Sequence, residues 1–295
     1  MMFHPGELLA HKKAGYGQVR AAVWPAMPEQ HRVFFQGLRY FFFAALDSAG
    51  CPVATVVQGE PGFLHATEAS LLEIDLAALQ AAPLLPQLVP GSPVGGLGID
   101  FANRRRNRIN GRVAGIAGGR LGIGVEESFG NCPQYIQRRD LPQMVLSTSA
   151  EIELLEELDA DARYLIGATD MLMVASSTQR SQDQGGVDIS HRGGLPGFVQ
   201  LEQGKLRLPD YSGNRYMNTL GNLLTEPRCA LLLLDFQQGA ALHIQGRATI
   251  EWEAAPRGLT ERYWTVEIDK VWRIRQLMPA AGLRVEYADS SLAAG

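Results

Sequence analysis

Pro61-Gly62-Phe63 and Pro196-Gly197-Phe198 stand 135 positions apart in a chain of 295 residues. Asp100-Phe101 returns at the same separation as Asp235-Phe236, and Gly111-Arg112 as Gly246-Arg247. Between these anchors Gly59, Leu71, Asp75, Leu97 and Ile109 match Gly194, Leu206, Asp210, Leu232 and Ile244 without a gap. Chance identity runs at roughly one position in sixteen for ordinary composition. Clusters of two and three identities at one offset therefore mark an internal duplication. The copies have their cores near 35–125 and 165–255.

Working outward from the anchors, each copy reads as strands. Leu38–Leu46 and Met171–Ser176 are apolar runs of strand length, and the two Pro-Gly pairs are turns leading into short apolar segments. Cys229–Phe236 is continuously apolar, as a strand covered on both faces would be. Gln237-Gln238-Gly239-Ala240 is its hairpin turn and Ala241–Glu251 the returning strand; Ala102-Asn103-Arg104-Arg105 is the equivalent turn of copy one. The predicted fold is mainly β with flanking helices, an antiparallel barrel from each copy. An arm of residues 1–34 precedes copy one, a linker of 126–164 joins the copies, and an arm of 256–295 follows. Glu151–Leu158 in the linker is predicted helical, and Arg257–Leu277 helical or mixed.

Composition narrows the function classes. Hydrophobic residues make up 46% and charged residues 20% of the chain, which is globular and not disordered. The balance of 27 basic against 31 acidic residues gives a net charge of −4, a poor match to a nucleic-acid or anionic-membrane binder. No apolar run reaches bilayer length, and residues 1–30 lack the uninterrupted apolar core of a signal peptide. Cys51, Cys132 and Cys229 are odd in number and widely spaced, as expected in a reducing cytoplasm. The six histidines form no H-x-x-x-H pair, so no metal site is expected.

The copies diverge in two places. Copy two carries Asp188-Ile189-Ser190-His191-Arg192-Gly193-Gly194 where copy one has Val53-Ala54-Thr55-Val56-Val57-Gln58-Gly59. It also carries a polar run from Asp210 to Asn222, where copy one has Asp75 followed by Leu, Ala and Pro residues. A helix starting near Asn214, capped by Ser212, Gly213 and Asn214, would put Met217, Leu220 and Leu224 on an apolar stripe and Arg215, Asn218 and Asn222 on another face. Its N-terminus would offer N–H groups and partial positive charge to a phosphate, with Arg192 and Arg215 adding charge-assisted hydrogen bonds. A capped surface helix would carry the same residues with no ligand.

These segments carry a resemblance. Ser190-His191-Arg192-Gly193-Gly194-Leu195-Pro196-Gly197-Phe198, Leu208-Pro209-Asp210-Tyr211-Ser212-Gly213-Asn214-Arg215 and Asn218-Thr219-Leu220-Gly221-Asn222 resemble the FMN-binding split barrels related to pyridoxamine 5'-phosphate oxidase, and in particular a bacterial subgroup with two tandem barrels per chain. Asn131-Cys132-Pro133-Gln134-Tyr135-Ile136-Gln137-Arg138-Arg139 and the Phe3-His4-Pro5-Gly6-Glu7 start are similar to the same subgroup. The resemblance implies FMN held between two barrels. Arg192 and the Asn214-Arg215 or Asn218-Thr219 region stand where the family holds the phosphate, with Ser190, His191 and Asn222 beside them. It further implies a flavin-dependent oxidoreductase acting on a small-molecule substrate or electron donor, or else a flavin- or haem-binding carrier or sensor without turnover of its own. The basic Lys of the oxidases and their terminal Trp and Arg signature are missing, so the vitamin B6 reaction is not expected.

The family's barrels pair, and a tandem chain makes that pair internally as a pseudo-dimer; a homodimer of such chains is the further alternative. Arg104-Arg105-Arg106-Asn107-Arg108 is either a solvated turn or the contribution of copy one to the ligand of copy two, through Arg106. Tyr135 and Arg138 would close the ring end of a flavin by stacking and charge. His191 would polarise the flavin or substrate, or serve only as a hydrogen-bonding loop residue. One flavin per chain is the expected stoichiometry.

Overall fold

A computed structural model describes residues 3–130, 132–141, 150–178, 186–253, 258–278 and 284–294. The strands of the first copy are β1 (Tyr40–Leu46), β2 (Pro52–Gln58), β3 (Leu64–Glu68), β4 (Leu71–Asp75), β5 (Pro93–Asp100), β6 (Arg105–Ala117) and β7 (Arg120–Gly130). They form an antiparallel sheet in the order β2-β1-β5-β6-β7-β4-β3. Two short strands follow, β8 (Arg138–Arg139) and β9 (Glu151–Leu155). The second copy supplies β10 (Met171–Ser177), β11 (Val187–Gly193), β12 (Gln200–Glu202), β13 (Lys205–Tyr211), β14 (Arg228–Asp235), β15 (Ala240–Glu251) and β16 (Thr260–Arg275), in the order β11-β10-β14-β15-β16-β13-β12. Replacing each strand of the first sheet by its counterpart reproduces the second order without exception. A ladder of β8 with β17 (Val285–Glu286) closes the chain's end. The helices are α1 (Pro5–Lys13), α2 (Glu29–Gln36), α3 (Leu76–Gln80), α4 (Ala160–Ala168), α5 (Asn218–Thr225) and α6 (Asp289–Leu292).

The apolar strand runs are explained by double coverage. In β1, Phe41, Phe43 and Ala45 face the first sheet's own core, while Tyr40, Phe42 and Ala44 enter a core shared with the second sheet. In β10, Leu172 and Val174 face inward and Met171, Met173 and Ala175 enter the shared core. A strand whose alternate residues all meet apolar neighbours has no polar face to show. Phe63 and Phe198 occupy matching places in the two private cores. Each lies so close to a glycine, Gly59 and Gly194, that a β-carbon there would come within 3.0 Å of its ring.

Three expectations are corrected. Glu151–Leu158 does not form a helix: Glu151–Leu155 is β9, an edge strand on β16. Cross-strand charge decides it, since Glu153 accepts from Arg275 at 2.9 Å and from Arg273 at 3.4 Å. Arg257–Leu277 is not helical or mixed, because Thr260–Arg275 is a full strand of the second sheet. Its burial alternates along Thr260, Arg262, Trp264 and Val266, the period of a strand with one covered face. The second sheet thus runs past residue 255, and the first reaches Gly130. Finally, the helix expected near Asn214 starts at Asn218.

Candidate functional site

The cleft where copy one meets copy two is built from three elements. β11 brings Ser190, His191 and Arg192; the segment after β13, ending in α5, brings Asn214, Arg215, Asn218 and Thr219; β6 brings Arg106 and Arg108 from the other copy. Strand alternation aims Arg106 and Arg108 the same way, whereas Arg104 and Arg105 bond elsewhere. The cleft holds a cavity of about 100 Å³. A second cavity of about 90 Å³ adjoins it, sharing Arg106, His191, Arg192, Tyr211, Gly213 and Asn214 and adding Cys132 and Tyr135.

The backbone entering α5 is forced into the left-handed region at Arg215 (φ 61°) and Met217 (φ 63°). Such non-glycine residues cost free energy and cluster at ligand sites. Met217 is the N-cap and supplies no side-chain hydrogen bond. The first N–H groups of α5 therefore keep their donors, and Asn218, Thr219 and Leu220 line the cleft. Ser190 Oγ and Thr219 Oγ1, 2.7 Å apart, tie β11 to the helix start. Behind it, α1 crosses α5 glycine on glycine: a β-carbon on Gly6 would fall 2.2 Å from the Gly221 carbonyl oxygen. That approach lets Asn218 donate to Glu7 at 2.5 Å.

Charge is unevenly paired. Arg108 donates to Asp188 at 2.5 Å, and Asp188 also accepts from Asn110 and Asn222. Asp210 is clamped between Arg192 at 3.0 Å and Arg262 at 3.3 Å, and Arg262 also meets Glu261 at 2.9 Å. Arg215 lies over the Tyr16 ring at 4.7 Å. No ion pair joins Arg106 to a carboxylate among the described residues; its one hydrogen bond goes to His191 Nδ1 at 3.4 Å. Burial, then the Arg108 and Arg192 charges, pull its guanidinium down to about 9. Burial and the Arg106, Arg139 and Arg192 charges hold His191 well below the usual imidazole range, so the ring is neutral. Because Nδ1 accepts from Arg106, the proton sits on Nε2. His191 Nε2, Arg106 Nε and Arg192 Nε are all buried without a hydrogen-bond partner. Three unanswered donors beside an uncapped helix start are the chemistry of an anion site.

The structure gathers most of the residues expected from sequence: Ser190, His191, Arg192, Asn214, Arg215, Asn218, Thr219 and Arg106 line the cleft. Tyr135 lines the adjoining cavity, stacked on Tyr211 with centroids 5.0 Å apart. Its hydroxyl donates to the Ser212 carbonyl at 2.9 Å. Two residues are placed differently. Asn222 lies on the buried side of α5 and donates to Ser176 and Asp188. Arg138 sits on the β8–β17 ladder facing Glu286 at 3.5 Å, outside both cavities. Sequence reading missed Arg108, Asp188, Asp210, Tyr211 and Tyr16. Asp188 and Asp210 begin the two divergent stretches, a signal that was present; Tyr16, from the N-terminal arm, had none.

No family model and no curated protein matches the sequence. Among solved structures, HupZ from Group A Streptococcus is 13% identical, with a TM-score of 0.32 over 40% of this chain and 99% of that one. A FAD-binding protein from Mesorhizobium loti is 11% identical, with a TM-score of 0.30 over 42% of this chain and 97% of its own. A general stress protein 26-related member of the pyridoxinephosphate oxidase family from Clostridium acetobutylicum is 14% identical, with a TM-score of 0.27 over 44% and 94%. Likenesses at this level carry no argument about function. Among the described residues, no helix is long and apolar enough to cross a membrane.

Proposed function

We propose that this chain binds one FMN per molecule in the cleft between its copies and works as a flavin-dependent oxidoreductase on a small molecule. The carrying observation is Arg106, a largely shielded cation without a carboxylate, set beside the uncapped start of α5. A phosphate answers both, and the residues present fit one. Arg106, Arg215 and the N–H groups of Asn218 and Thr219 would hold it, with Arg192 Nε as a further donor. Tyr211 and Tyr135 would face the ring end. When bound, the isoalloxazine supplies the hydride and electron transfer. The chain's part is to orient it and to hold a proton at His191 Nε2, where a neutral imidazole donates without adding charge.

The pseudo-symmetric counterpart supports a single site. At the positions matching Arg192, Arg106 and Arg108 the chain has Val57, Ala241 and His243. Val56, Ala241, Leu277 and Met278 are packed in the shared core there, and Gln58 donates to the Leu277 carbonyl at 2.7 Å. That place holds side chains where the other holds a cleft.

The test is to titrate apoprotein with FMN, then reduce the complex with NADPH or dithionite and follow reoxidation by added acceptors. Binding at one site per chain with reoxidation by a small-molecule acceptor supports the reading. Binding without turnover leaves a carrier, and two equivalent sites contradict it.

A further inference from the structure

Beyond the α5 start, on the other side of the Arg108–Asp188 pair, lies a cavity of about 510 Å³. It shares only Asn218 with the anion cleft, and its chemistry is opposite. α1 contributes Glu7 and β7 contributes Glu127. Glu7 accepts from the His4 backbone N–H and from Asn218, and Glu127 accepts from Asn110 at 2.9 Å. Neither forms an ion pair with an Arg or Lys among the described residues. The neighbouring carboxylates differ: Asp188 has Arg108 and Glu126 has Arg112. The only basic group near Glu7 is His4 Nε2 at 3.8 Å, and burial lowers that imidazole below its ordinary range. Burial, with repulsion from Asp188, pushes Glu7 up to about 8 and Glu127 to about 7.

Two further features point to what the cavity takes. Asn222 is fully buried on its wall, and its Oδ1 has no hydrogen-bond partner, so a third acceptor is left waiting for a donor. Phe129 and Tyr216, with ring centroids 6.3 Å apart, line the same space. Carboxyls without cations, an unanswered acceptor and aromatic rings together favour a positive charge on a flat or apolar body. An anion or a flavin phosphate is disfavoured by the same groups.

We infer that this cavity is a second binding site, for a small organic cation such as a protonated amine or amidine carried on an apolar ring, seated between Glu7, Glu127 and the Phe129–Tyr216 wall. The cation completes the charge of the carboxyls and donates to Asn222 Oδ1. The site is separate from the anion cleft, and its occupancy does not rest on the flavin reading.

The test is calorimetric titration of the full chain, loaded with FMN and without it, using benzamidine as probe and benzamide and benzoate as its neutral and anionic counterparts. At pH 8 benzamidine should bind at least tenfold more tightly than either counterpart. Glu127→Gln, which touches no residue of the anion cleft, should lower benzamidine affinity at least tenfold. Ala21→Trp, which fills the cavity from its rim, should abolish binding without removing a carboxyl. Equal affinity for benzamidine and benzamide, no binding at millimolar concentration, or unchanged affinity in a folded Ala21→Trp protein would each overturn the assignment. FMN affinity measured on the same samples reports on the flavin site separately.

Discussion

Arg106 and Arg108 sit two residues apart on one strand and face the same way, yet removing them should have opposite consequences. Arg108 neutralises Asp188 at 2.5 Å inside the protein. Arg108→Leu leaves that carboxylate buried with only Asn110 and Asn222 as donors, and breaking a buried pair in this way costs about 3–5 kcal/mol. Asp188 keeps two hydrogen bonds, so the lower end of that range is expected. Arg106 has no carboxylate to strand, and burial already disfavours its charge. Arg106→Leu should therefore leave the ligand-free protein within about 1 kcal/mol of wild type, or more stable. Its cost appears only with the ligand. A hydrogen bond to a charged group is worth about 1.5–3 kcal/mol, so FMN affinity should fall roughly 10- to 150-fold. Urea unfolding of the apoproteins gives the first pair of numbers and flavin fluorescence titration the second. An Arg106→Leu protein that binds FMN like wild type, or whose apo form loses as much stability as Arg108→Leu, refutes the reasoning.

Arg192→Ala and Arg215→Ala should each weaken FMN binding by about 1.5–3 kcal/mol; unchanged flavin affinity in both, measured by the same titration, removes them from the phosphate site. Arg138→Ala, on the β8–β17 ladder, should leave flavin affinity within twofold, and a larger loss would return it to the site. Burial holds His243 down to about 4 from an ordinary 6.5. The unfolded chain binds that proton first, so stability is complete above about pH 6.5 and falls by roughly 3 kcal/mol as the pH drops through that window. Urea midpoints between pH 7 and 4 should show this slope in wild type and a shallower one in His243→Leu. Glu7 has the reverse sign. Its folded form keeps a proton up to about pH 8, so its contribution is lost as pH rises from about 4.5 to 8, and Glu7→Gln should flatten that limb.

What the sequence determined by itself was the repeat and the strands that matter most. The Phe63 and Phe198 anchors, the doubly covered runs of β1, β10 and β14, and the divergence at Asp188–Gly194 and Asp210–Asn222 are all local or periodic signals, and each is visible without knowing what it touches. Glu151–Leu155 and Thr260–Arg275 were misread for the opposite reason. Their strand character comes from partners more than a hundred residues away: Glu153 needs Arg273 and Arg275 across the ladder before its segment stops looking helical. The start of α5 moved from Asn214 to Asn218 because two left-handed residues, Arg215 and Met217, hold the chain open, and nothing in their side chains announces that geometry. The tertiary structure alone decided which charges are answered. Arg104, Arg105, Arg106 and Arg108 are one basic run in sequence, but the strand's alternation and the meeting of two sheets give Arg104 to Glu286, Arg108 to Asp188 and Arg106 to no carboxylate. Electrostatic compensation is set by distances between elements far apart along the chain, so the unpaired cation and the unpaired carboxyls of Glu7 and Glu127 emerge only when the copies close on one another.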